Sequence, residues 1–387
     1  MTSGLVPKQI TCEQCDYTVS LPELAHRQRA VCPRCGHTLL TYRRNEAQSL
    51  AAFAFSALVF LILSLPFNFL SFRASGQKHS IDLPGGLAVL IENDYVSLAL
   101  ITGLATLLLP GMVLLGFVVL SLARINNQRP NYLKRVYRAV CWLMPWSMAE
   151  IFLVGTLVSL IKITELADVS IGLSFYAFIG FTLCMTLSMV YFDKNQYALW
   201  LNDGALPAPK PLTELEASHS VQRTWALLIT ASLLYIPANI LPIMQTELFG
   251  KTEPSTIVGG VISLWESGSY PVALIILIAS VVVPVVKIAI LGWLNYSVQT
   301  GQIKRKSRRI RYYRFTEGIG RWSMIDVFVV AVLVALIQLG NTLSIFPGPA
   351  ALAFCAVVFI TMVAAMTFDS RLIWQGSQHQ QDVSNEQ

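Results

Sequence analysis

Two stretches of this sequence, PWSMAEIFLV (Pro145–Val154) and RWSMIDVFVV (Arg321–Val330), place one carboxylate inside an apolar run that follows the same Trp-Ser-Met leader. Over sixteen positions counted from the two tryptophans, the copies share nine residues. The same offset of 176 positions also pairs two Phe-Asp dipeptides, at 192–193 and 368–369. The chain therefore contains an internal repeat, and the apolar character of the repeated stretch predicts a segment that crosses a membrane.

The composition also indicates a membrane protein. Of 387 residues, 54% are hydrophobic and only 13% are charged, about half the charged fraction of a soluble domain. We identify eight apolar stretches of roughly the 20 residues that a helix needs to cross the hydrocarbon layer. They are 49–71, 97–122, 139–162, 171–192, 223–245, 270–296, 319–340 and 348–368. The predicted fold is an all-α integral membrane protein with eight transmembrane helices.

The repeat divides these eight helices into two groups of four. Because each group crosses the membrane an even number of times, both groups enter it from the same side, and we predict parallel repeats. The predicted domains are an N-terminal zinc ribbon (1–45), a first repeat (46–199), a Pro-rich linker (200–222), a second repeat (223–370) and a disordered tail (371–387).

The distribution of Lys and Arg predicts the orientation in the membrane. The loops after the second and sixth stretches are rich in basic residues, whereas 72–96, 246–269 and 341–347 contain few. Basic loops stay on the cytoplasmic side, so we predict that both termini are cytoplasmic. The basic runs KRKSRRIRYYR and NYLKRVYR interleave Arg with Tyr. Beside membrane helices this pattern favours contact with anionic lipid head groups, and we predict no nucleic acid as a partner.

Two Cys-x-x-Cys pairs near the N-terminus predict a metal site. Their cysteines are Cys12, Cys15, Cys32 and Cys35. Two such pairs supply four thiolates for one tetrahedral Zn²⁺ ion. A redox pair is the alternative, although no βαβ pattern surrounds either pair. We expect the metal to fold a segment too small to form its own core; a direct role in transport or nucleic-acid binding is the other interpretation.

Polar residues within the apolar stretches form a candidate functional site. Ser147 and Glu150 stand three residues apart, as do Ser323 and Asp326, which on a helix puts each pair on one face. Intramembrane acids usually serve a function or organise a bundle; the alternative is an acid solvated at the membrane interface. Lys287 lies in another apolar stretch. We expect it to pair with Asp326, or second with Glu150, inside the bundle; snorkelling to the interface is the alternative.

Two further acids, Glu92 and Glu266, follow repeated Gly-Gly pairs in the predicted outer loops. Glycine pairs permit close backbone approach, so these acids line the outer lip of a ligand path or merely cap a loop. No catalytic motif is evident: GKT at 250–252 lacks the upstream glycine of a phosphate-binding loop. We therefore predict neither an enzyme nor a nucleotide-binding protein.

The sequence resembles the paraquat-inducible protein A family. The resemblance rests on the Cys-x-x-Cys pairs, the LPFN and IPAN stretches at 65–68 and 236–239, and the repeated Trp-Ser-Met-x-acid block. The resemblance extends from Cys12 to about Trp374. It implies an inner-membrane protein of Gram-negative bacteria that belongs to a lipid transport system. Such a protein would pass phospholipid between the inner membrane and a tunnel formed by a periplasmic MCE-domain partner, and so maintain the outer membrane.

The resemblance also assigns residues. The intramembrane polar residues of the family correspond here to Glu150, Lys287 and Asp326. One departure is that family members often carry a second zinc ribbon before the second repeat, whereas 200–222 contains no cysteine. Two functions from other classes fit the same residues: a proton-coupled exporter of small lipophilic cations, and a membrane scaffold that anchors a partner.

Overall fold

The structure, a computed structural model, describes most of the chain. The described residues are 9–21, 24–74, 77–164, 168–203, 212–248, 251–300, 306–336 and 343–375. Parts of the predicted linker (204–211) and tail (376–387) therefore lie outside them. At the N-terminus, four short strands form two antiparallel hairpins. These are β1 (Gln9–Thr11) with β2 (Thr18–Ser20), and β3 (Arg29–Val31) with β4 (Thr38–Thr41).

The rest of the described chain consists of two halves with the same order of elements. The first half contains α1 (Glu46–Leu63), β5 (Leu70–Ala74), β6 (Gln77–Ile81), α2 (Leu83–Glu92), α3 (Val96–Gly103), α4 (Leu109–Ile125), α5 (Tyr132–Leu143), α6 (Ala149–Thr164), β7 (Asp168–Ile171), α7 (Leu173–Tyr191) and α8 (Lys194–Leu201). The second half contains α9 (Glu214–Ile240), β8 (Met244–Leu248), β9 (Lys251–Ser255), α10 (Ile257–Glu266), α11 (Tyr270–Leu277), α12 (Val283–Gln299), α13 (Lys306–Ile319), α14 (Ile325–Leu336), β10 (Leu343–Pro347), α15 (Pro349–Thr367) and α16 (Leu372–Gln375).

Seven helical segments of the described chain are long and apolar enough to cross a membrane. They are Glu46–Leu63, Val96–Ile125, Tyr132–Ile161, Leu173–Tyr191, Tyr270–Gln299, Lys306–Ala335 and Pro349–Thr367. The remaining predicted stretch, 223–245, forms much of α9, which is 27 residues long but begins with a polar segment and contains Pro237. It is not among the seven, so an eighth crossing stays a prediction.

Prolines explain where the long segments depart from regular helix. A π-helical turn at Leu104–Leu108 joins α3 to α4, and another at Ile278–Val282 joins α11 to α12. Pro110 and Pro284 follow these turns. Because proline has no N–H to donate to the preceding turn, the helix widens locally there.

Tighter turns interrupt the two repeated Trp-Ser-Met stretches. A 3₁₀ turn at Met144–Trp146 joins α5 to α6, and a second at Gly320–Met324 joins α13 to α14. The predicted stretch 139–162 coincides with one of the seven candidate spans, Tyr132–Ile161. That span is not one continuous helix, because Pro145 ends the regular hydrogen bonding of α5.

Two three-stranded antiparallel sheets lie in loops that the all-α prediction left without secondary structure. β5 is the central strand of the first sheet and pairs with β6 and β7, with Leu70 opposite Ile171. β8 is central in the second and pairs with β9 and β10, with Met244 opposite Pro347. Each sheet thus joins the strands that follow the first helix of its half to the strand just before the last long helix, which is α7 in the first half and α15 in the second.

The repeated Trp-Ser-Met helices form the contact between the halves. Within the halves, α1 packs on α4 and α7, and α9 packs on α12 and α15; between them, α6 packs on α14. The rings of Phe152 and Phe328 meet edge to face at 5.6 Å. The Ser159 hydroxyl donates to the Val329 carbonyl at 3.3 Å. The apolar core is therefore continuous across the two halves.

Candidate functional site: a four-cysteine ribbon and a buried polar cluster

The two Cys-x-x-Cys turns bring four buried thiols together. The sulfur atoms of Cys12, Cys15, Cys32 and Cys35 lie within 4.8 Å of one another. The distance is 3.5 Å both from Cys12 to Cys35 and from Cys15 to Cys32. A tetrahedral ion with metal–sulfur bonds of about 2.3 Å places its sulfurs about 3.8 Å apart. The number, chemistry and spacing of these ligands therefore suit a metal ion.

Local backbone geometry explains how both turns form. Asp16 N–H donates to the Cys12 carbonyl at 2.9 Å, and Gly36 N–H donates to the Cys32 carbonyl at 2.8 Å. Asp16 and Gly36 have φ of 57° and 71°, in the left-handed region that Gly and Asp tolerate best. The hydrogen bond between the Cys12 and Cys15 thiols lowers the pKa of Cys12 to about 5 and raises the pKa of Cys15, so Cys12 is the member of this pair that favours the thiolate form.

The ribbon, defined here as residues 9–21 and 24–41, is held by both halves of the chain. On the first half, the Asp193 carboxylate accepts a hydrogen bond from Thr41 N–H at 2.8 Å. On the second half, Arg314 donates to the Gln14 side chain at 2.8 Å and to the Cys35 carbonyl at 3.0 Å. The ribbon therefore bridges the two halves at one end of the helices.

Lys287, on α12, is the first member of a buried polar cluster. Its side chain is fully buried, and its ammonium nitrogen has no hydrogen-bond partner among the described residues. It lies against Gly320, where an added Cβ would be 2.8 Å from the nitrogen. Any side chain at position 320 would have to displace the ammonium.

Gly320 is therefore a site residue that the sequence analysis missed. Comparison of the two repeats points to Gly320, because positions 287 and 320 both differ from their equivalents in the first half. Lys287 and Gly320 in the second half stand where the first half has Val113 and Met144. The glycine thus occurs in the half that carries the lysine.

Ser323 and Asp326 complete the cluster. Both are buried, and the Ser323 hydroxyl and one Asp326 oxygen have no partner in the part of the chain that the structure describes. Gly320, Ser323 and Asp326 recur at every third position through the 3₁₀ turn and into α14, and residues three apart eclipse one another in a 3₁₀ helix. Gly320, Ser323 and Asp326 therefore lie towards the same side, and the Lys287 ammonium lies against Gly320, the first of the three.

The ion pairs expected for Lys287 are not formed. Among the described residues, no carboxylate lies within 4.0 Å of its nitrogen. Helical rise places Asp326 ~10 Å along the axis from Gly320, which is too far for an ion pair. Glu150, the second expected partner, instead pairs with Arg321 at 3.4 Å, and these side chains are 35% and 37% exposed.

Ser147 does not share a helix face with Glu150, so that prediction is wrong. Ser147 has an extended backbone at the break after Pro145, and its hydroxyl contacts the Met185 sulfur at 3.7 Å. The two outer-lip candidates, Glu92 and Glu266, are exposed at the last positions of α2 and α10.

Comparison with known proteins agrees with the division of the chain into two halves. The sequence model of one family, described as Paraquat-inducible protein A, matches residues 47–201 and 221–378. Intermembrane transport protein PqiA of Escherichia coli (strain K12) is 39% identical over 407 aligned residues, covering 95% of each chain. Probable intermembrane transport protein of Haemophilus influenzae is 29% identical over 404, covering 95% of this chain and 96% of the relative.

A third relative is Lipophilic envelope-spanning tunnel protein A of Escherichia coli (strain K12), 29% identical over 392 aligned residues. That alignment covers 94% of this chain and 90% of the relative. No solved structure matches the chain. The resemblance inferred from the sequence is thereby confirmed: the chain belongs to the paraquat-inducible protein A family.

Proposed function

We propose that this protein is the inner-membrane subunit of a lipid transport system. It passes phospholipid between the inner membrane and a tunnel formed by a periplasmic MCE-domain protein, and so maintains the outer membrane. The observation that carries the proposal is the set of buried polar groups without partners on Lys287, Ser323 and Asp326. Buried polar groups are normally hydrogen bonded, so an unpaired set of this kind suits a ligand that supplies the missing partners.

A phospholipid head group has the complementary chemistry. The Lys287 ammonium suits a phosphate, and the Ser323 hydroxyl can donate to a phosphate oxygen. An ionised Asp326 further along the same face would repel that phosphate. Proton uptake by the Asp326 carboxylate is therefore coupled to head-group binding in this proposal.

The finer architecture is part of the same proposal. The protein has eight transmembrane helices in two parallel repeats (46–199 and 223–370), with 200–222 as a cytoplasmic linker and both termini cytoplasmic. The identical order of elements in the halves and the family match to each half support the duplication. The basic loops support the orientation, and Glu92 and Glu266 then belong to the outer, periplasmic lip.

We also propose that the ribbon holds one structural Zn²⁺ ion. Four cysteine ligands and a site closed to further ligands favour zinc in a folding role. The ion would cross-link the two hairpins, which carry few apolar residues of their own. The protein is proposed to be a transporter subunit without enzymatic activity, in keeping with the transport names of its relatives.

The polar cluster disfavours the exporter alternative. A lipophilic cation that passed the cluster would meet the unpaired Lys287 ammonium, which repels positive charge. A scaffold that only anchors a partner gives no role to the unpaired groups on Lys287 and Asp326.

The experiment measures phospholipid transfer by the full-length protein, reconstituted with its periplasmic partner in vesicles. Lys287→Met and Asp326→Asn are each expected to reduce transfer to background while expression and partner binding stay at the wild-type level. Lys194→Met, at the exposed first position of α8, is the matched control and keeps wild-type transfer. Wild-type transfer by both cluster variants would overturn the residue assignment and favour the scaffold.

A further inference from the structure

A second feature of the contact between the halves is an apolar cleft. It lies among α2, α3 and α6 of the first half and α14 of the second, and has a cavity volume of about 50 Å³. A cavity of this size holds a few heavy atoms, since one water needs roughly 10–15 Å³ of the same measure, so only a short piece of a larger ligand would be enclosed. Its walls include Leu83, Leu87, Leu90, Phe152 and Val332. The surface that a ligand would meet is therefore almost entirely hydrocarbon.

The cleft is separate from the polar cluster. Its nearest lining residue on α14, Ala331, is five positions beyond Asp326, or about 7.5 Å along the helix axis. It lies towards the three-stranded sheet of β5, since Phe69, Leu70 and Ile81 also line it. A ligand in the cleft would thus occupy a second position, displaced from the cluster towards the sheet.

Two polar residues interrupt the apolar lining. Thr102, on α3, is 3% exposed, and its hydroxyl has no hydrogen-bond partner in the described part of the chain. By contrast, the hydroxyl of Thr106, one turn later, donates to the Thr102 carbonyl at 2.7 Å. The second polar residue is Asp82, a half-buried carboxylate that precedes α2. The cleft therefore offers one buried neutral donor and one negative charge.

Small residues on α14 and α2 keep the cleft open. Ala331 and Ala335 are four positions apart and share a helix face. A Cβ added to Gly86 would lie 3.6 Å from the Ala335 Cβ. The first-half residue equivalent to Ala335 is Ser159, whose hydroxyl donates to the Gly155 carbonyl at 2.9 Å. The apolar lining on α14 is thus not reproduced at the equivalent position of the other half.

We propose that this cleft binds the ester end and first few carbons of one acyl chain of a diacyl phospholipid, with Thr102 donating a hydrogen bond to the ester carbonyl of that chain. The inference rests on the proposed function and adds the position of one acyl chain of the lipid. A single buried hydroxyl suits a neutral acceptor, since a charged group would need more partners. The Asp82 carboxylate repels the carboxylate of a free fatty acid, so the cleft favours an esterified chain.

The test is photo-crosslinking of the full-length protein in vesicles. The probe is a phosphatidylcholine with a diazirine in one acyl chain, and the labelled peptides are identified by mass spectrometry. We expect label in α2, α3 and α14 of the wild-type protein. Ala335→Phe fills the cleft and should reduce this label to background. Ala52→Phe, the same substitution at an exposed position of α1, should leave it unchanged.

Two further variants sharpen the result. Thr102→Val keeps the shape of the side chain and removes the donor, so label should fall about 2- to 10-fold, the effect of one neutral hydrogen bond. Ala335→Val replaces Ala335→Phe if the larger side chain prevents folding, as judged by gel filtration. An absence of label in α2, α3 and α14 of the wild type, or label unaffected by either substitution at 335, overturns the site.

A diazirine fatty acid distinguishes the two sources of an acyl chain. Labelling by the free acid as strong as that by the phospholipid would overturn the ester assignment. Lipid transfer measured on the same samples separates this inference from the proposed function. Transfer by a wild-type protein whose cleft is never labelled leaves the proposed function standing and removes the acyl-chain site. Label in the cleft of a wild-type protein that transfers no lipid would leave the acyl-chain site standing and remove the proposed function.

Discussion

At the residue scale, Lys287 and Gly320 depend on each other. An ammonium buried without a counter-charge destabilises a fold by several kcal/mol, and this one occupies space that a Cβ at Gly320 would enter, 2.8 Å from the nitrogen. The equivalent pair in the first half, Val113 and Met144, fills the corresponding positions with apolar groups. The buried lysine therefore lowers the stability of the second half, whereas the apolar pair of the first half has no such effect. A local loss of stability of this kind is typical of a functional position.

This dependence predicts a strong coupling between two substitutions. Gly320→Met alone should lower thermal stability, because its side chain meets the Lys287 ammonium. Combined with Lys287→Val it recreates the pair of the first half, and stability should recover by roughly 0.5–3 kcal/mol relative to additive effects. Thermal unfolding of the four proteins in a double-mutant cycle measures the coupling. Additive changes would show that the lysine does not occupy the space beside Gly320.

A second residue-scale prediction concerns Glu150 and Arg321. Their ion pair is about one-third exposed, and solvent-screened pairs contribute roughly 0–1 kcal/mol. Glu150→Gln should therefore change thermal stability little and reduce lipid transfer less than Asp326→Asn does. Transfer and unfolding measured side by side on the two variants check this. Equal loss of transfer would place Glu150 in the path with Asp326.

At the element scale, the ribbon is a small unit whose strands have too few residues to be stable alone. β1 to β4 contain three or four residues each, and a two-stranded hairpin is marginal in water. The four thiols provide the missing cross-link between the hairpins once a metal binds.

We predict that Cys35→Ser removes the metal and loosens the ribbon while the transmembrane helices remain folded. The metal content of the purified protein should fall to background, and amide exchange should rise across residues 9–41 but not in α1. Cys355→Ser is the matched control, since Cys355 is also buried but lies in α15, away from the four cysteines of the ribbon. Full metal content in the Cys35 variant would contradict a four-cysteine site.

At the scale of the whole molecule, one ribbon contacts both halves. Asp193 holds β4 from the first half, and Arg314 holds both Cys-x-x-Cys turns from the second. The Arg34 guanidinium lies 4.7 Å from the ring centre of Trp374, which adds a cation–π contact to the second half.

The two sets of contacts should be separable. Arg314→Ala is expected to raise amide exchange around Cys12 to Cys15, whereas β4 stays protected because Asp193 is retained. Asp193→Ala should have the opposite pattern. Arg311→Ala, on the exposed face of α13, is the control and should leave both regions unchanged. Identical exchange patterns for the two contact variants would mean that the ribbon docks as one rigid unit.

Much of this organisation could be predicted from sequence, because apolar stretches of membrane length and paired cysteines have few other interpretations. The helix break at Ser147 was missed, since the apolar pattern continues through Pro145. The sheets were missed because their strands are short and pair across long separations, as Leu70 does with Ile171. The position of Gly320 could have been found by comparing the repeats, whereas the absence of a Lys287–Asp326 pair depends on helical rise in three dimensions.

The bridging ribbon has a consequence for the order in which the chain is assembled. Gln14 and Arg314 are 300 residues apart, and Gln14 and Ser370, which also contact each other, are 356 apart. At about 5–20 residues per second, translation separates Gln14 from Arg314 by about 15–60 s. The ribbon thus leaves the ribosome before either half and is among the last segments to be fully docked. During that interval it is held by the first half alone, so a nascent chain that stops before Arg314 leaves one side of the ribbon uncovered.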